Sequence, residues 1–267
     1  MIIRAKIAHL AAALWLGGGL AAAEEPLAPL PAGATNVPGR AVESPKPVES
    51  AVSPLTNADV RLVEPGVFEI GKVRLDQRRR SVTLPAVLDR AQGAMEYFLV
   101  TTYGKTHESI LMTQAQPNHI HLAMLLLGAN GPGNAAFPGS PTNGVPGPIV
   151  HPSKETIPGN KVSIQVKWKT PDGDTERSAA DLIYNTDAHS VMKHGSWVYN
   201  GSLIVRGTFL AQVDGSIISL VTDPVALINN TGPGHDNDLI WTPNTNNIPP
   251  PDVPVEVTIT LEDAKPK

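Results

Sequence analysis

The stretch Met95–Gly128, MEYFLVTTYGKTHESILMTQAQPNHIHLAMLLLG, holds the most concentrated run of apolar residues in the chain. Its pattern predicts a strand, a turn at Gly104, a short second strand and then a helix. It also carries side chains suited to proton transfer or metal binding: His107, Glu108, His119 and His121. We therefore expect the rest of the chain, which is rich in strand patterns, to fold around this stretch.

The helix is predicted over Pro117–Leu127. Proline is tolerated in the first turn of a helix, and Gly128 stands where a C-terminal cap belongs, so both ends carry a boundary signal. The residues between are strongly apolar, so we expect the helix to be buried.

Alternating apolar and polar residues mark the clearest strands, which cover residues 162–169 and 255–262. Ser81–Leu88 and Met95–Thr102 are predicted to pair as a hairpin. Leu203–Gln212 and Ser216–Val221 are predicted as a second hairpin, with Asp214-Gly215 as its turn.

Shorter elements complete the pattern. Ser178–Asp181 resembles a capping box and predicts a short helix through Ile183. Asp223-Pro224 predicts one helical turn through Ile228. The sum is an α+β, β-rich domain with mainly antiparallel sheets or a sandwich and two or three short helices.

The first 23 residues have the order of a signal peptide. Arg4 and Lys6 form a basic start, Leu10–Leu20 is apolar, and Ala21–Ala23 supplies small residues for cleavage. We expect export to the periplasm or the exterior. The alternative is an uncleaved membrane anchor, although the apolar run is shorter than the roughly 20 residues that a span needs.

Two segments rich in proline interrupt the pattern. Residues 24–57 have no helical or strand period, and we expect a disordered linker. Residues 58–264 then form a single domain, in which a loop rich in proline and glycine covers about 129–160. No later stretch reaches the length of a membrane span, so none is expected after signal cleavage.

Composition excludes several classes of function. The chain has 267 residues, a formal net charge of −4 and no basic excess, so we expect no nucleic-acid partner. It has no cysteine, which excludes a lipid-anchored cysteine, a thiol nucleophile and any cysteine-ligated cluster. Nucleotide-binding glycine loops and zinc-protease motifs are also absent from the sequence.

His107 and Glu108 are the strongest candidates for chemistry, because imidazole and carboxylate both bind metals and move protons near neutral pH. Neighbours on a strand point to opposite faces, so the two share a site only if the chain turns there. The structural alternative is that His107 bonds to the backbone while Glu108 caps or pairs with Lys105 or an arginine.

His119 and His121 could extend this cluster to a divalent metal site. On a strand they would share one face, but on the predicted helix they lie about 200° apart. The helix therefore argues against chelation by the pair, although one of them could join His107 across the core. With three such ligands, zinc is the expected metal.

Several blocks resemble the YdjY-like domain of exported bacterial proteins. They are EYFLVTTYGKTHESIL at 96–111, PNHIHLAMLLLGA at 117–129, the long run from Trp197 to Ile228, and WTPNTNNIPP at 241–250. The resemblance covers about Val67 to Leu261 and is interrupted at 129–160.

The resemblance marks the Gly104–Glu108 turn as the signature block of the family. Lys105, His107 and Glu108 are therefore the candidate ligand-binding or functional cluster. The family is largely uncharacterised, so the resemblance implies no reaction. A ferredoxin-like function cannot apply here, because the chain has no cysteine to hold a cluster.

Two hypotheses of different class follow. The first is an exported, non-catalytic domain, either a binding module or an envelope-associated structural protein, whose partner is an unidentified small ligand or envelope protein. The second is a metal-dependent enzyme or redox-associated protein that uses the His107/Glu108 cluster. Convergence of His107, Glu108 and another histidine on one point would favour the second hypothesis.

Overall fold

A computed structural model of the chain describes residues 60–131 and 155–262. The predicted signal peptide and linker, and the centre of the predicted Pro/Gly-rich loop, lie outside these ranges. All described residues belong to one compact unit.

Strands dominate the described residues. They are β1 (Val60–Glu64), β2 (Val67–Ile70), β3 (Val73–Asp76), β4 (Ser81–Leu88), β5 (Tyr97–Thr101), β6 (Ser109–Thr113), β7 (Asn160–Thr170), β8 (Gly173–Ser178), β9 (Ile183–Asn185), β10 (Ser190–Val191), β11 (Trp197–Tyr199), β12 (Ile204–Val205), β13 (Thr208–Phe209), β14 (Ser216–Ser219), β15 (Ile228–Asn230), β16 (Trp241–Pro243) and β17 (Val255–Leu261). The helices are α1 (Pro117–Leu126) and α2 (Leu210–Asp214), with 3₁₀ turns at Thr106–Glu108 and Ala179–Leu182.

Eight strands close into a mixed barrel in the order β4-β17-β7-β11-β15-β14-β5-β6, and β6 returns to β4. The β14–β15 and β5–β6 pairs are parallel, and the other pairs are antiparallel. Outside the ring, β1-β2-β3 extends from β4, and β8 pairs with β7. A separate sheet has the order β10-β9-β16. The predicted β-rich class with short helices is confirmed.

The alternating patterns of β7 and β17 meet side by side in the barrel wall, with Val162 opposite Leu261 and Trp168 opposite Val255. The apolar members of both strands are buried, while Lys167 and Lys169 are exposed. Burying one such aliphatic side chain contributes about 1.5 to 3 kcal/mol, so the pairing of these two apolar rows fixes their register.

Helix α1 begins at Pro117 as predicted and ends within one residue of the predicted boundary. Gly128 follows with φ +86°, and the N–H of Ala129 donates to the carbonyl of Met124 over 3.0 Å. The helix is buried on one face only, because Leu125 and Leu126 are 43% and 47% exposed. The expectation of a buried helix is therefore confirmed for one face and wrong for the other.

The predicted hairpin of β4 with β5 is also wrong. Strand β5 lies between β14 and β6, and β4 pairs with β3, β17 and β6. All five residues of β5 are buried. A strand that is apolar on both faces is stabilised in the interior of a closed sheet, and its partners come from elsewhere in the chain.

The predicted strand at 203–212 is instead a small hairpin followed by helix α2. Arg206 and Gly207 both have positive φ, 52° and 79°, and they make the two-residue turn between β12 and β13. Arginine is not a residue that indicates a turn, so the sequence pattern did not predict this one. Gly215, which was assigned to a hairpin, ends α2 with φ +77°.

The other short helices are partly confirmed. A 3₁₀ turn covers Ala179–Leu182, and the Ser178 hydroxyl accepts from the N–H of Ala180 over 3.4 Å. The helical turn predicted through Ile228 is wrong. Asp223 Oδ1 accepts from the N–H of Val225 over 2.8 Å, which closes a tight turn, and Ile228 begins β15.

Candidate functional site

The Gly104–Glu108 turn links the parallel strands β5 and β6. Gly104 donates its N–H to Thr101 and accepts from the N–H of Thr106, at 3.0 and 2.9 Å. A side chain at Gly104 would lie 3.1 Å from the carbonyl oxygen of Gly215. The two backbones therefore touch, and this contact holds the signature turn against the end of α2.

Lys105 points from this turn toward the core. Its Nζ donates to the hydroxyl oxygen of Tyr97 over 2.8 Å, and the Tyr97 hydroxyl donates to Oδ2 of Asp223 over 2.8 Å. Tyr97 and Asp223 are each 1% exposed, while Lys105 is half-buried. We call these three side chains the Lys–Tyr–Asp chain.

Further hydrogen bonds fix the buried end of the Lys–Tyr–Asp chain. The N–H of Asp223 donates to Oδ1 of Asn229 over 2.7 Å. Nδ2 of Asn229 donates to Oδ1 of Asn200 and to the carbonyl of Asp223, at 2.8 and 2.9 Å. Such a network rigidifies the β14–β15 connection, because each buried polar group has a partner there.

Tyr97 is held in its neutral form. Burial is the main cause that raises the pKa of its phenol, and the charge and hydrogen bond of Asp223 raise the pKa further. A neutral phenol donates one hydrogen bond and accepts others. The Tyr97 hydroxyl therefore bridges the ammonium of Lys105 and the buried carboxylate of Asp223. The two opposite charges compensate each other, and the Lys–Tyr–Asp chain thereby supports the Gly104–Glu108 turn.

The other two residues of the predicted cluster are not part of the Lys–Tyr–Asp chain. His107 and Glu108 lie on the 3₁₀ turn, and Nε2 of His107 is 3.8 Å from Oε1 of Glu108. The His107 side chain is 71% exposed and that of Glu108 is 23% exposed. Of the two pairings suggested for Glu108, the one with Lys105 is not formed in the described residues: the ion-pair partner of Glu108 is His107, and the Lys105 ammonium donates to Tyr97.

His119 and His121 lie in separate environments on α1, as their helical spacing requires. The ring of His119 packs on Gly71, where an added methyl group would come within 2.6 Å of Cε1. His121 Nδ1 is hydrogen-bonded to the Tyr199 hydroxyl over 2.7 Å, and its ring centroid lies 4.8 Å from that of Phe209, with the two ring planes tilted by 41°.

The predicted metal-ligand set is not assembled. Over residues 60–131 and 155–262, no group of three or more His, Cys, Asp or Glu side chains is arranged to hold a metal ion. His107 and Glu108 lie close to each other. On α1, however, His119 packs against Gly71 and His121 is hydrogen-bonded to Tyr199. The structure thus separates residues that lie close together in the sequence.

We expect His121 to make the fold sensitive to mild acid. Burial lowers the pKa of His121 to about 4, whereas an unfolded histidine titrates near 6.5. Between these values the unfolded state binds the proton more readily, so stability falls as the pH falls. The free energy of unfolding should decrease by about 2 kcal/mol between pH 7 and pH 5 from this residue alone.

The measurement is urea unfolding across that pH range for the wild type and His121→Asn. Asparagine places a side-chain polar atom close to the position of Nδ1 but does not titrate. The variant should lose about 2 kcal/mol of the pH dependence. His189→Asn, at an exposed position, is the control and should retain it. Equal pH dependence in all three proteins would contradict the assignment.

A second candidate site lies on a surface that has no charged side chain in its lining. A cleft of about 550 Å³, which we call the polar cleft, is lined by residues 91–93, by Tyr184 on β9, by Thr186 just after it, and by the segment 242–246. This volume is within the range typical of small-ligand sites. Tyr184 and Thr242 are cross-strand partners on β9 and β16, so both side chains stand on its wall.

The backbone around the polar cleft is anchored on both sides. Asn244 Nδ2 and Asn247 Nδ2 both donate to the carbonyl of Asp181, at 2.8 and 3.2 Å. The N–H of Asn247 donates to the carbonyl of Asn244 over 2.8 Å and closes a turn. On the facing side, the N–H of Met95 donates to the carbonyl of Trp241 over 2.9 Å. The turn therefore presents its tip in a fixed position.

Five polar side chains in the polar cleft are uncommitted. Within the part of the chain that the structure describes, these side chains form no hydrogen bond: Gln92, Tyr184, Thr242, Thr245 and Asn246. Polar groups that converge on a cleft without internal partners are available to a ligand. The WTPNTNNIPP block had no predicted role beyond resemblance, and nothing in the sequence marked residues 91–93 or Tyr184 as part of a site.

A third concave region differs in its charge. A groove of about 540 Å³ crosses the outer face of β3, β4, β17 and β7 and contains four cationic side chains. Two of these are already paired, Arg74 with Glu64 at 3.2 Å and Lys167 with Asp174 at 2.7 Å. Their exposed pairs are typical of a solvated surface.

Comparison with known proteins identifies the family. In the described ranges, no helix combines the length and apolar character needed to cross a bilayer. No curated protein and no solved structure matches the chain. A family model described as the YdjY domain matches residues 73–260, which includes the Lys–Tyr–Asp chain and the whole polar cleft. The chain therefore belongs to the YdjY domain family.

Proposed function

We propose that this protein is an exported binding domain and that the polar cleft is its ligand site. The observation that carries the proposal is the convergence of five uncommitted polar side chains on one anchored cleft. Export rests on the order of basic, apolar and small residues at the N-terminus.

The anchoring of the polar cleft favours binding because little order must be gained when a ligand arrives. The turn at 244–247 is closed by its own backbone and fastened to Asp181 before any ligand is present. A site whose groups are already positioned loses less conformational entropy on binding, which raises affinity for the same contacts.

The test is a thermal-shift screen of the full chain against a library of uncharged small molecules. Each compound that stabilises the wild type is then tested on Thr245→Trp, which places an indole at the tip of the turn beside the cleft. Compounds that bind in the polar cleft should stabilise the wild type and lose that effect in the variant, because the indole occupies their space.

Thr175→Trp is the matched control, since Thr175 lies on the outer strand β8 and away from the cleft. It should respond to the compounds as the wild type does. Compounds that stabilise Thr245→Trp and the wild type equally would place the ligand elsewhere, and the proposal would then be abandoned.

A further inference from the structure

We infer that the polar cleft binds a neutral carbohydrate, an inference that rests on the proposed function and names the ligand class for the same site. The first argument is charge. None of the residues that line the polar cleft is ionised at neutral pH, since they are Ala, Gln, Gly, Tyr, Thr, Pro and Asn. A charged ligand would lose its hydration there without gaining a counter-charge.

The second argument is the type of hydrogen bond that the polar cleft offers. The side chains of Gln92 and Asn246 each carry both donors and acceptors, and the hydroxyls of Thr242 and Thr245 do the same. The hydroxyl groups of a sugar also donate and accept at one atom. A ring with several hydroxyls can therefore satisfy these four side chains together, which a ligand with only acceptors cannot do.

The third argument is an aromatic surface. Tyr184 stands between Val191 and Thr242 in one cross-strand row, and it is partly exposed toward the cleft. The ring of Tyr184 offers an apolar face with a polar tip. A sugar ring has the complementary form, with C–H groups on its faces and hydroxyls at its edge, so it can pack on Tyr184 while its edge reaches the amides.

An extended peptide is the main competing ligand, and the backbone of β16 disfavours it. Peptides commonly bind by adding a strand to a free sheet edge. On the edge of β16 that faces away from β9, the carbonyl of Trp241 already accepts from the N–H of Met95. Pro243 on the same edge has no N–H to offer. Strand addition would therefore find few backbone partners.

The experiment uses the full chain on an array of neutral, uronate-containing and sialylated glycans, followed by calorimetry with the neutral glycans that bind. We expect binding to neutral glycans and weaker binding to their uronate counterparts. Tyr184→Ala and Asn246→Ala should each weaken the affinity by roughly tenfold, the scale of one lost stacking contact or hydrogen bond. Gln165→Ala, on the outward face of β7, should change nothing.

The outcomes separate the ligand class from the proposed function. No glycan bound at up to about 10 mM, or glycans bound equally by Tyr184→Ala, would overturn the carbohydrate inference. If an uncharged peptide library then binds and Thr245→Trp abolishes that binding, the polar cleft remains the ligand site with another ligand class. If no glycan, peptide or compound of the thermal-shift library binds, or if Thr245→Trp has no effect on those that do, both proposals fall.

Discussion

Replacing Asp223 with alanine should lower the free energy of unfolding by about 3 to 5 kcal/mol. The buried carboxylate accepts from the Tyr97 hydroxyl and from the N–H of Val225, each at 2.8 Å. Its removal leaves both donors buried without that acceptor, and a buried donor without a partner costs about 1 to 3 kcal/mol. Lys105 also loses the negative charge that its ammonium faces through Tyr97.

Urea unfolding at pH 7 measures this effect, with Asp236→Ala as the control at an exposed aspartate. The control should change the unfolding free energy by less than about 0.5 kcal/mol. Tyr97→Phe, which removes only the phenolic hydroxyl, should fall between the two. A loss below about 1 kcal/mol in Asp223→Ala would mean that the Lys–Tyr–Asp chain does not support the fold.

Replacing Gly215 with alanine should destabilise the protein by about 3 kcal/mol, for two reasons that add. Gly215 has φ +77°, a conformation that costs a residue with a side chain about 1 kcal/mol or more. A Cβ there would also press on the Thr101 hydroxyl and lie 3.0 Å from the nitrogen of Gly104. Relief of that contact requires the signature turn to move away from α2.

Gly207→Ala separates the two causes, because Gly207 has φ +79° but no atom lies within 4 Å of its added Cβ. It should cost only about 1 kcal/mol, the conformational part. Guanidinium or urea unfolding of both variants gives the difference directly. Equal losses in Gly207→Ala and Gly215→Ala would show that the contact between Gly215 and Gly104 does not hold the turn.

The sequence was sufficient to predict those elements whose ends and buried face are indicated by neighbouring residues. The alternation in β7 and β17 identifies their buried faces, and Pro117 with Gly128 marks both ends of α1. The β-rich class follows from the number of such strands. The failures are at turns with unusual residues, as at Arg206-Gly207, where positive φ is adopted by a residue that gives no turn signal.

The candidate site was predictable only in part. The Gly104–Glu108 block was identified, but Lys105 joins Tyr97 and Asp223, and the latter lies 126 residues beyond Tyr97. Helical spacing correctly separated His119 from His121. The polar cleft could not be anticipated, because Gln92, Tyr184 and Asn246 come from three distant segments that carry no shared motif.

The sequence by itself determined which residues of β7 and β17 face the core, the limits of α1 and the chemical character of the chain. The tertiary structure alone decided that β5 pairs with β14 and β6, that the barrel closes through β4 and β6, and that the polar cleft forms. The physical reason is that a two-residue period specifies which face of a strand is buried but not which strand lies beside it. The neighbour is selected by the burial and hydrogen bonding of the whole sheet, which depend on residues far apart in the chain.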